Sequence, residues 1–173
     1  MTCRAPLAEM QALLRALGAA RLSRTERFAE ASEETAGAVL AEAARLAEDV
    51  LAPVRRAGDL HPARLENGVV RASPGFAEAW RAFAAGGWVG MAAAPEHGGM
   101  GLPATLLTCV GEMAAGANLA LSLCPLLTQG QIEALERHAD ERLKALYLPR
   151  LIAGDWTGTM NLTEPQAGTD VGA

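Results

Sequence analysis

The amino-acid sequence predicts an all-α fold that is followed by the first strand of a β-domain. Half of the 173 residues are hydrophobic, dominated by Ala and Leu, and only 4% are aromatic, a composition that suits closely packed helices. Apolar residues recur at three- and four-residue spacing through most of the chain, as on one face of a helix. Near the end, at residues 157–162, this spacing gives way to the alternation typical of a strand.

The first predicted helix is short and lies in an N-terminal extension, residues 1–31. Pro6 suits its first turn and Gly18 suits its end. Its apolar face is formed by Leu7, Met10, Leu14 and Leu17. Residues 19–31 have no strong pattern and either connect or extend this helix.

The strongest helical pattern covers residues 33–52. Apolar residues repeat there at three-to-four spacing while charged residues occupy the other angles. Ser32 is the predicted N-cap and Pro53 the predicted stop. We interpret the stripe as a packing face.

The middle of the chain predicts a small hairpin and then another helix. Asn67-Gly68 favours a tight turn between Leu65 and Val69-Val70. The next helix starts at Ser73-Pro74 and ends at Gly86-Gly87.

A glycine-rich loop at residues 98–101 predicts a turn that redirects the chain into a helix opened by Pro103. It lacks the spacing of a dinucleotide-binding fingerprint. A further apolar helix begins at Asn118, and Asp140 is a good N-cap for the last helix.

The segment after the last helix carries the most specific motif, Thr163–Asp170 (TEPQAGTD). Pro165 ends strand pairing because it has no N–H. The small residues Ala167 and Gly168 then predict a tight turn with exposed amides, which can approach an anionic or planar ligand closely.

Charge and composition argue against several classes of function. The 15 basic and 20 acidic residues give a net charge of −5 without long runs of either sign, so nucleic-acid binding has no electrostatic support. The three histidines lie in separate segments, which gives no support for a metal site. No serine has a hydrolase context, and no stretch reads as a secretory signal or a membrane span. Three cysteines without CxxC spacing favour free thiols in a reducing cytoplasm.

Three motifs, in order, resemble the acyl-CoA dehydrogenase family: residues 95–103 (PEHGGMGLP), residues 140–154 leading into the strand, and TEPQAGTD. The resemblance covers about residues 33–173. Arg4–Leu7 with residues 159–168 most resembles the branch of 3-methylmercaptopropionyl-CoA dehydrogenases and long-chain acyl-CoA dehydrogenases. It implies the family's N-terminal helical domain at residues 32–155 and the start of its middle β-domain at residues 156–173.

The resemblance also implies a cofactor, FAD, and the residues that contact it. The expected flavin contacts are Met160, Asn161, Leu162, Thr163, Gly168 and Thr169. Thr169 replaces the usual Ser and is also expected to touch the acyl-CoA. Leu119, Leu123 and Leu127 either line the acyl-chain pocket or belong to the core, and we favour the core.

In this family a Glu of a C-terminal helical domain removes the α-proton of an acyl-CoA thioester while the β-hydrogen passes as hydride to the flavin. The resemblance therefore implies an oxidoreductase with an acyl-CoA substrate, an electron-transfer acceptor and a dimeric or tetrameric assembly. No residue of this chain is expected to be the catalytic base, and we expect these 173 residues alone to be inactive. A non-enzymatic helical module that associates with another chain, and part of an acyl-CoA oxidase, remain the alternatives.

Overall fold

The computed structural model describes residues 3–170 and residue 172. Met1, Thr2, Val171 and Ala173, at the ends of the predicted extension and flavin segment, lie outside the described residues. The described chain is mainly helical, which confirms the predicted fold class. Its helices are α1 Leu7–Ala16, α2 Glu33–Arg45, α3 Ala52–Leu60, α4 Phe76–Ala85, α5 Ala104–His138 and α6 Glu141–Ile152. The strands β1 Arg64–Glu66 and β2 Val69–Arg71 form a hairpin.

α1 follows its predicted bounds closely. Gly18 adopts a left-handed φ of 70° and donates its N–H to the Arg15 carbonyl at 3.0 Å, so it closes the helix as expected. Met10 is buried, whereas Leu17 is exposed because the helix ends before it. Residues 19–28 form two short 3₁₀ turns, Ala19–Arg24 and Glu26–Phe28.

α2 begins at its predicted cap, where the Ser32 hydroxyl accepts from the Thr35 N–H at 3.1 Å. The helix does not stop at Pro53, contrary to the sequence prediction. A π-helical stretch, Leu46–Leu51, changes the hydrogen-bonding pattern first, and Pro53 falls in the first turn of α3, where its missing N–H is not needed. One continuous rod therefore runs from residue 33 to residue 60.

The hairpin and α4 confirm the middle of the sequence prediction. Asn67 and Gly68 have φ values of 51° and 78°, as a two-residue type I′ turn requires. α4 buries Phe83 against the core, and Trp80 stacks on Phe83 at a centroid distance of 6.2 Å.

The core lies where the rod formed by α2, the π-helical stretch and α3 packs against α5, and α6 also packs against α5. The loop between α4 and α5 adds Val89 and Met91, which are buried. Asp140 caps α6 as predicted, because its carboxylate accepts from the Leu143 N–H at 2.8 Å. The largest apolar side chains that are fully buried are Leu40, Leu51, Met91, Leu148 and Val89.

α5 is long and apolar enough to cross a membrane by length and composition alone, contrary to the sequence expectation that no such stretch is present. This is weak evidence for a membrane span, because a core helix passes the same test. α5 is broken at Asn118 and packs against α2, α3 and α6.

The predicted strand at residues 157–162 is wrong: within the described chain these residues pair with no other strand. A strand needs a hydrogen-bonded neighbour, and the β1–β2 hairpin is the sole sheet among the residues described. An isolated bridge between Glu164 and Gly168 is the nearest pairing.

We expect Leu40→Ala to lower the free energy of unfolding by about 2–5 kcal/mol, because Leu40 is only 1% exposed and its loss leaves a cavity. Leu119→Ala is the matched control, since Leu119 lies at the surface and should change stability by about 0.5 kcal/mol or less. Urea unfolding followed by circular dichroism measures both, and equal effects would contradict this packing.

Candidate functional site: a cleft along α5 and the segment after α6

The break in α5 is fixed by the side chain of Asn118. This residue has a non-helical φ of −155° and is 1% exposed. Its Oδ1 accepts from the Leu121 N–H at 3.2 Å, which caps the second half of the helix. Its Nδ2 donates to the Leu51 carbonyl at 3.2 Å, which ties the break to the end of the π-helical stretch. The sequence predicted a new helix at Asn118 but not this second bond.

The two halves of α5 line one cleft, which we call the α5 cleft. Its inner part, nearest the break, has a volume of about 560 Å³. The outer part, about 610 Å³, shares Leu107, Gln129 and Glu133 with it and continues toward the ends of the two halves. Phe28 from the N-terminal extension lines this outer part.

The inner part of the cleft is lined by leucines for which the apolar periodicity favoured a place in the core. Leu119 is 61% exposed and Leu123 is 49% exposed, so the core assignment is wrong for both. Leu126, which the sequence analysis did not single out, is 60% exposed and lines the same cleft. The break at Asn118 separates the two halves, so this stripe faces open space instead of a neighbouring helix.

The loop at residues 95–101 is a compact turn, as predicted. Gly99 N–H donates to the Ala94 carbonyl at 3.1 Å, and Gly101 N–H donates to the Ala93 carbonyl at 2.9 Å. A Cβ on Gly99 would lie 2.1 Å from the Ala93 carbonyl oxygen, so only glycine fits this fold-back. The Glu136 carboxylate accepts from the Ala94 N–H at 2.7 Å and fastens the loop to α5.

The chain after α6 is anchored to the bundle through residue 158. Trp80 Nε1 donates to the Gly154 carbonyl at 3.1 Å. The Arg150 guanidinium lies 5.0 Å from the centre of the Trp156 ring. Gly158 N–H then donates to the hydroxyl of the fully buried Thr128 at 3.0 Å, and that hydroxyl donates to the Cys124 carbonyl at 2.8 Å.

Gly158 is buried against the second half of α5, on the face that carries Thr128 and Gln131, neither of which lines the α5 cleft. A Cβ on it would lie 2.2 Å from Gln131 Oε1 and 3.1 Å from Thr128 Cα. Thr128 and Gly158 are functional contacts that the sequence did not predict. A glycine inside an apparent strand was the available signal, because it often marks a close approach of backbone to another element.

The predicted flavin contacts lie beyond this anchor, on the surface. Met160, Asn161, Leu162 and Thr163 are consecutive and exposed. Gly168 and Thr169 are also exposed, with Gly168 at a φ of 60°. The Asp170 N–H donates to the Ala167 carbonyl at 3.2 Å, which confirms the predicted tight turn. Glu164 and Gly168 exchange backbone hydrogen bonds at 2.8 and 2.9 Å, so that Thr163 and Thr169 follow at opposing positions.

The polar chemistry of the bundle gives no metal centre: no group of three or more His, Cys, Asp or Glu side chains in the described part of the chain could hold an ion. All three cysteines belong to that part and are free. Burial raises the pKa of the Cys109 thiol above its ordinary value of 9.0, and the nearby Glu112 carboxylate raises it further. Burial also raises the pKa of Cys124, against a smaller opposite effect of the Thr128 hydrogen bond.

The helices from α2 to α6 make up the part of the chain that matches a known family. Residues 33–155 match the family model described as acyl-CoA dehydrogenase, N-terminal domain. The chain therefore belongs to the acyl-CoA dehydrogenase family.

Named relatives agree with this assignment. The chain is 39% identical over 172 residues to 3-methylmercaptopropionyl-CoA dehydrogenase of Ruegeria pomeroyi, covering 99% of this chain and 29% of that relative. It is 44% identical over 62 residues to a butyryl-CoA dehydrogenase of Syntrophomonas wolfei, covering 36% of this chain and 10% of the relative. It is 34% identical over 95 residues to mitochondrial isovaleryl-CoA dehydrogenase of Pongo abelii, covering 54% of this chain and 22% of that relative. The chain thus spans less than a third of the length of each of these relatives.

We expect Thr128→Val to loosen the segment after α6, because it leaves the buried Gly158 N–H without an acceptor, at a cost of about 1–3 kcal/mol. Thr108→Val is the matched control: Thr108 also donates to the carbonyl four residues back on α5, but it is exposed and bonds no second element. Hydrogen exchange at the Gly158 amide should accelerate in the first variant alone; unchanged protection would contradict the anchor.

Proposed function

We propose that this chain is the N-terminal part of an FAD-dependent acyl-CoA dehydrogenase, which oxidises the α,β C–C bond of an acyl-CoA thioester to give the enoyl-CoA. One juxtaposition carries the proposal. The α5 cleft and the anchor of the TEPQAGTD segment both involve the second half of α5, since Leu123 and Leu126 line the cleft and Thr128 accepts from the Gly158 N–H. One helix therefore carries both the candidate acyl-chain site and the start of the segment expected to contact the flavin.

The α5 cleft suits an acyl chain because its inner wall is formed by leucines that lie in open space. Covering Leu119, Leu123 and Leu126 removes apolar surface from water at about 25 cal/mol per Å². Three carboxylates also line the cleft, but none is assigned as the base. Glu133 is paired with Arg137 at 2.7 Å, Glu136 accepts from the Ala94 N–H at 2.7 Å, and Glu112 is exposed on the first half of α5.

The segment beyond Gly158 fits one side of a flavin site. Met160 and Leu162 offer exposed apolar side chains to a ring, and Thr163 offers a hydroxyl and an amide to its polar edge. In the turn, the N–H groups of Ala167, Gly168 and Asp170 already donate to backbone carbonyls, so the exposed Thr169 hydroxyl is the group offered to a phosphate and to acyl-CoA. FAD, when bound, supplies the acceptor for the hydride equivalent from the substrate β-carbon.

Residues 1–31 would act as an extension, residues 32–155 as the helical domain and residues 156–173 as the start of the β-domain. We propose an electron-transfer protein as acceptor, a dimeric or tetrameric enzyme, and a cytoplasmic location. The free thiols of Cys3, Cys109 and Cys124 support a reducing compartment. We assign none of the chain's residues as the catalytic base.

The first test is turnover. We expect the 173-residue chain to purify without flavin absorbance and to give no acyl-CoA-dependent dye reduction, because its flavin contacts lie on one exposed segment. Stoichiometric FAD with turnover would contradict this. Sequencing the coding region on both sides should reveal an in-frame continuation with a β-domain and a C-terminal helical domain. Failure of that longer product to reduce dye with any acyl-CoA would overturn the proposed function.

The second test is binding in the cleft. We expect lauroyl-CoA to bind the 173-residue chain weakly and Leu123→Asp to weaken it by about tenfold, because a charge replaces an apolar contact. Leu146→Asp is the matched control, since Leu146 is equally exposed but lies on α6, outside the cleft. Isothermal titration measures both. Equal loss in the two variants would argue against the cleft as the acyl-chain site.

A further inference from the structure

The β1–β2 hairpin is an exposed two-stranded sheet with open edges. All six strand residues are exposed, and among residues 3–170 and 172 the sheet has no third strand. A two-stranded sheet of this kind is marginally stable alone, and its edges carry backbone groups available for pairing. The hairpin is therefore a surface suited to strand addition.

The register fixes which backbone groups point outward. Glu66 is opposite Val69 on either side of the two-residue turn, so this pair exchanges hydrogen bonds within the hairpin. The alternation of an antiparallel ladder makes Leu65 and Val70 the next, non-hydrogen-bonded pair. The N–H and C=O of Leu65 consequently face the open edge of β1, and those of Val70 face the open edge of β2.

We propose that β1 pairs with β1 of a second copy of this chain, forming a four-stranded antiparallel sheet with two-fold symmetry. The pairing centres on Leu65, whose outward N–H and C=O exchange two hydrogen bonds with Leu65 of the second copy. Arg64 then lies opposite Glu66 of the second copy, and by symmetry Glu66 lies opposite Arg64 of the second copy. These are non-hydrogen-bonded positions, where side chains approach most closely, so the edge is complementary to itself in charge.

The pairing also offsets a like-charge repulsion within the hairpin. Arg64 is directly opposite Arg71, and like charges at such positions are destabilising. In the four-stranded sheet Arg64 gains a carboxylate neighbour on its other side. On the opposite face, Leu65 and Val70, which are 74% and 66% exposed, join the same residues of the second copy in one apolar row.

The β2 edge lacks this complementarity. Symmetric pairing about Val70 would place Val69 opposite Arg71 of the second copy, which forms no ion pair. Charge complementarity therefore favours pairing through the β1 edge over pairing through the β2 edge. Strands of three residues bury little area, so the association is weak and reversible.

Sedimentation equilibrium of the purified chain over a range of concentrations tests the proposal. We expect Arg64→Glu and Glu66→Arg each to raise the dimer dissociation constant by about tenfold or more, because each creates two like-charge contacts. The double exchange R64E/E66R restores complementarity and should return association toward the wild-type level. An equimolar mixture of the two single variants should also associate, since their edges are complementary to each other.

Proline variants test the edge itself. Leu65→Pro removes the outward N–H of β1 without removing a bond to β2 and should abolish association, whereas Val70→Pro makes the same change on the other edge and should leave it intact. Circular dichroism checks that the helical bundle is unchanged. A monomer at all concentrations, association that none of these variants alters, or a charge exchange that fails to restore it would overturn the proposal.

Discussion

The amide of Asn118 is the contact on which the arrangement of this domain depends. Without a break, the two halves of this 35-residue helix would be collinear and could not line a cleft between them. The buried amide caps the second half through Leu121 and binds the Leu51 carbonyl in the same geometry. Because both bonds are shielded from water, losing either would leave a buried polar group unsatisfied. The break is thus held by the rod opposite it as well as by the local backbone.

The separation of the two halves explains why apolar residues lie in open space in an otherwise well-packed bundle. Leu119 and Leu123 follow the break directly, at a point where the first half no longer covers them. Further along the same half, Thr128 receives the chain returning from α6. The second half of α5 therefore lines the cleft and also positions the start of the next domain.

The sequence predicted local features well because each has its own chemical cause. Ser32 and Asp140 cap helices, Gly18 ends one, and Asn67-Gly68 turns a hairpin, all through residues within a few positions. Features that depend on contacts between residues distant in the sequence were predicted less well. Pro53 was read as a stop because the preceding π-helical stretch leaves no clear sequence signal. Leu119 and Leu123 were read as core because periodicity identifies an apolar face but not what covers it. Strand character at residues 157–162 depended on neighbours that the described residues do not contain.

The π-helical stretch has a consequence for how the chain can change in length. Each residue of a helix turns the following side chains by about 100°, so the wider turn at Leu46–Leu51 resets the angular phase of everything after it. Before the stretch, Leu40 and Ala43 face the core; after it, Val54 and Gly58 meet Gly75 and Phe76. A π-helical turn holds about one residue more than an α-helical turn, so deleting one residue there would restore regular helical bonding and leave α3 facing α4. The same deletion within α2 or α3 would rotate the side chains on its two sides relative to each other by about 100°. Within this rod, the π-helical stretch is therefore the place where the chain can lose one residue and keep its packing.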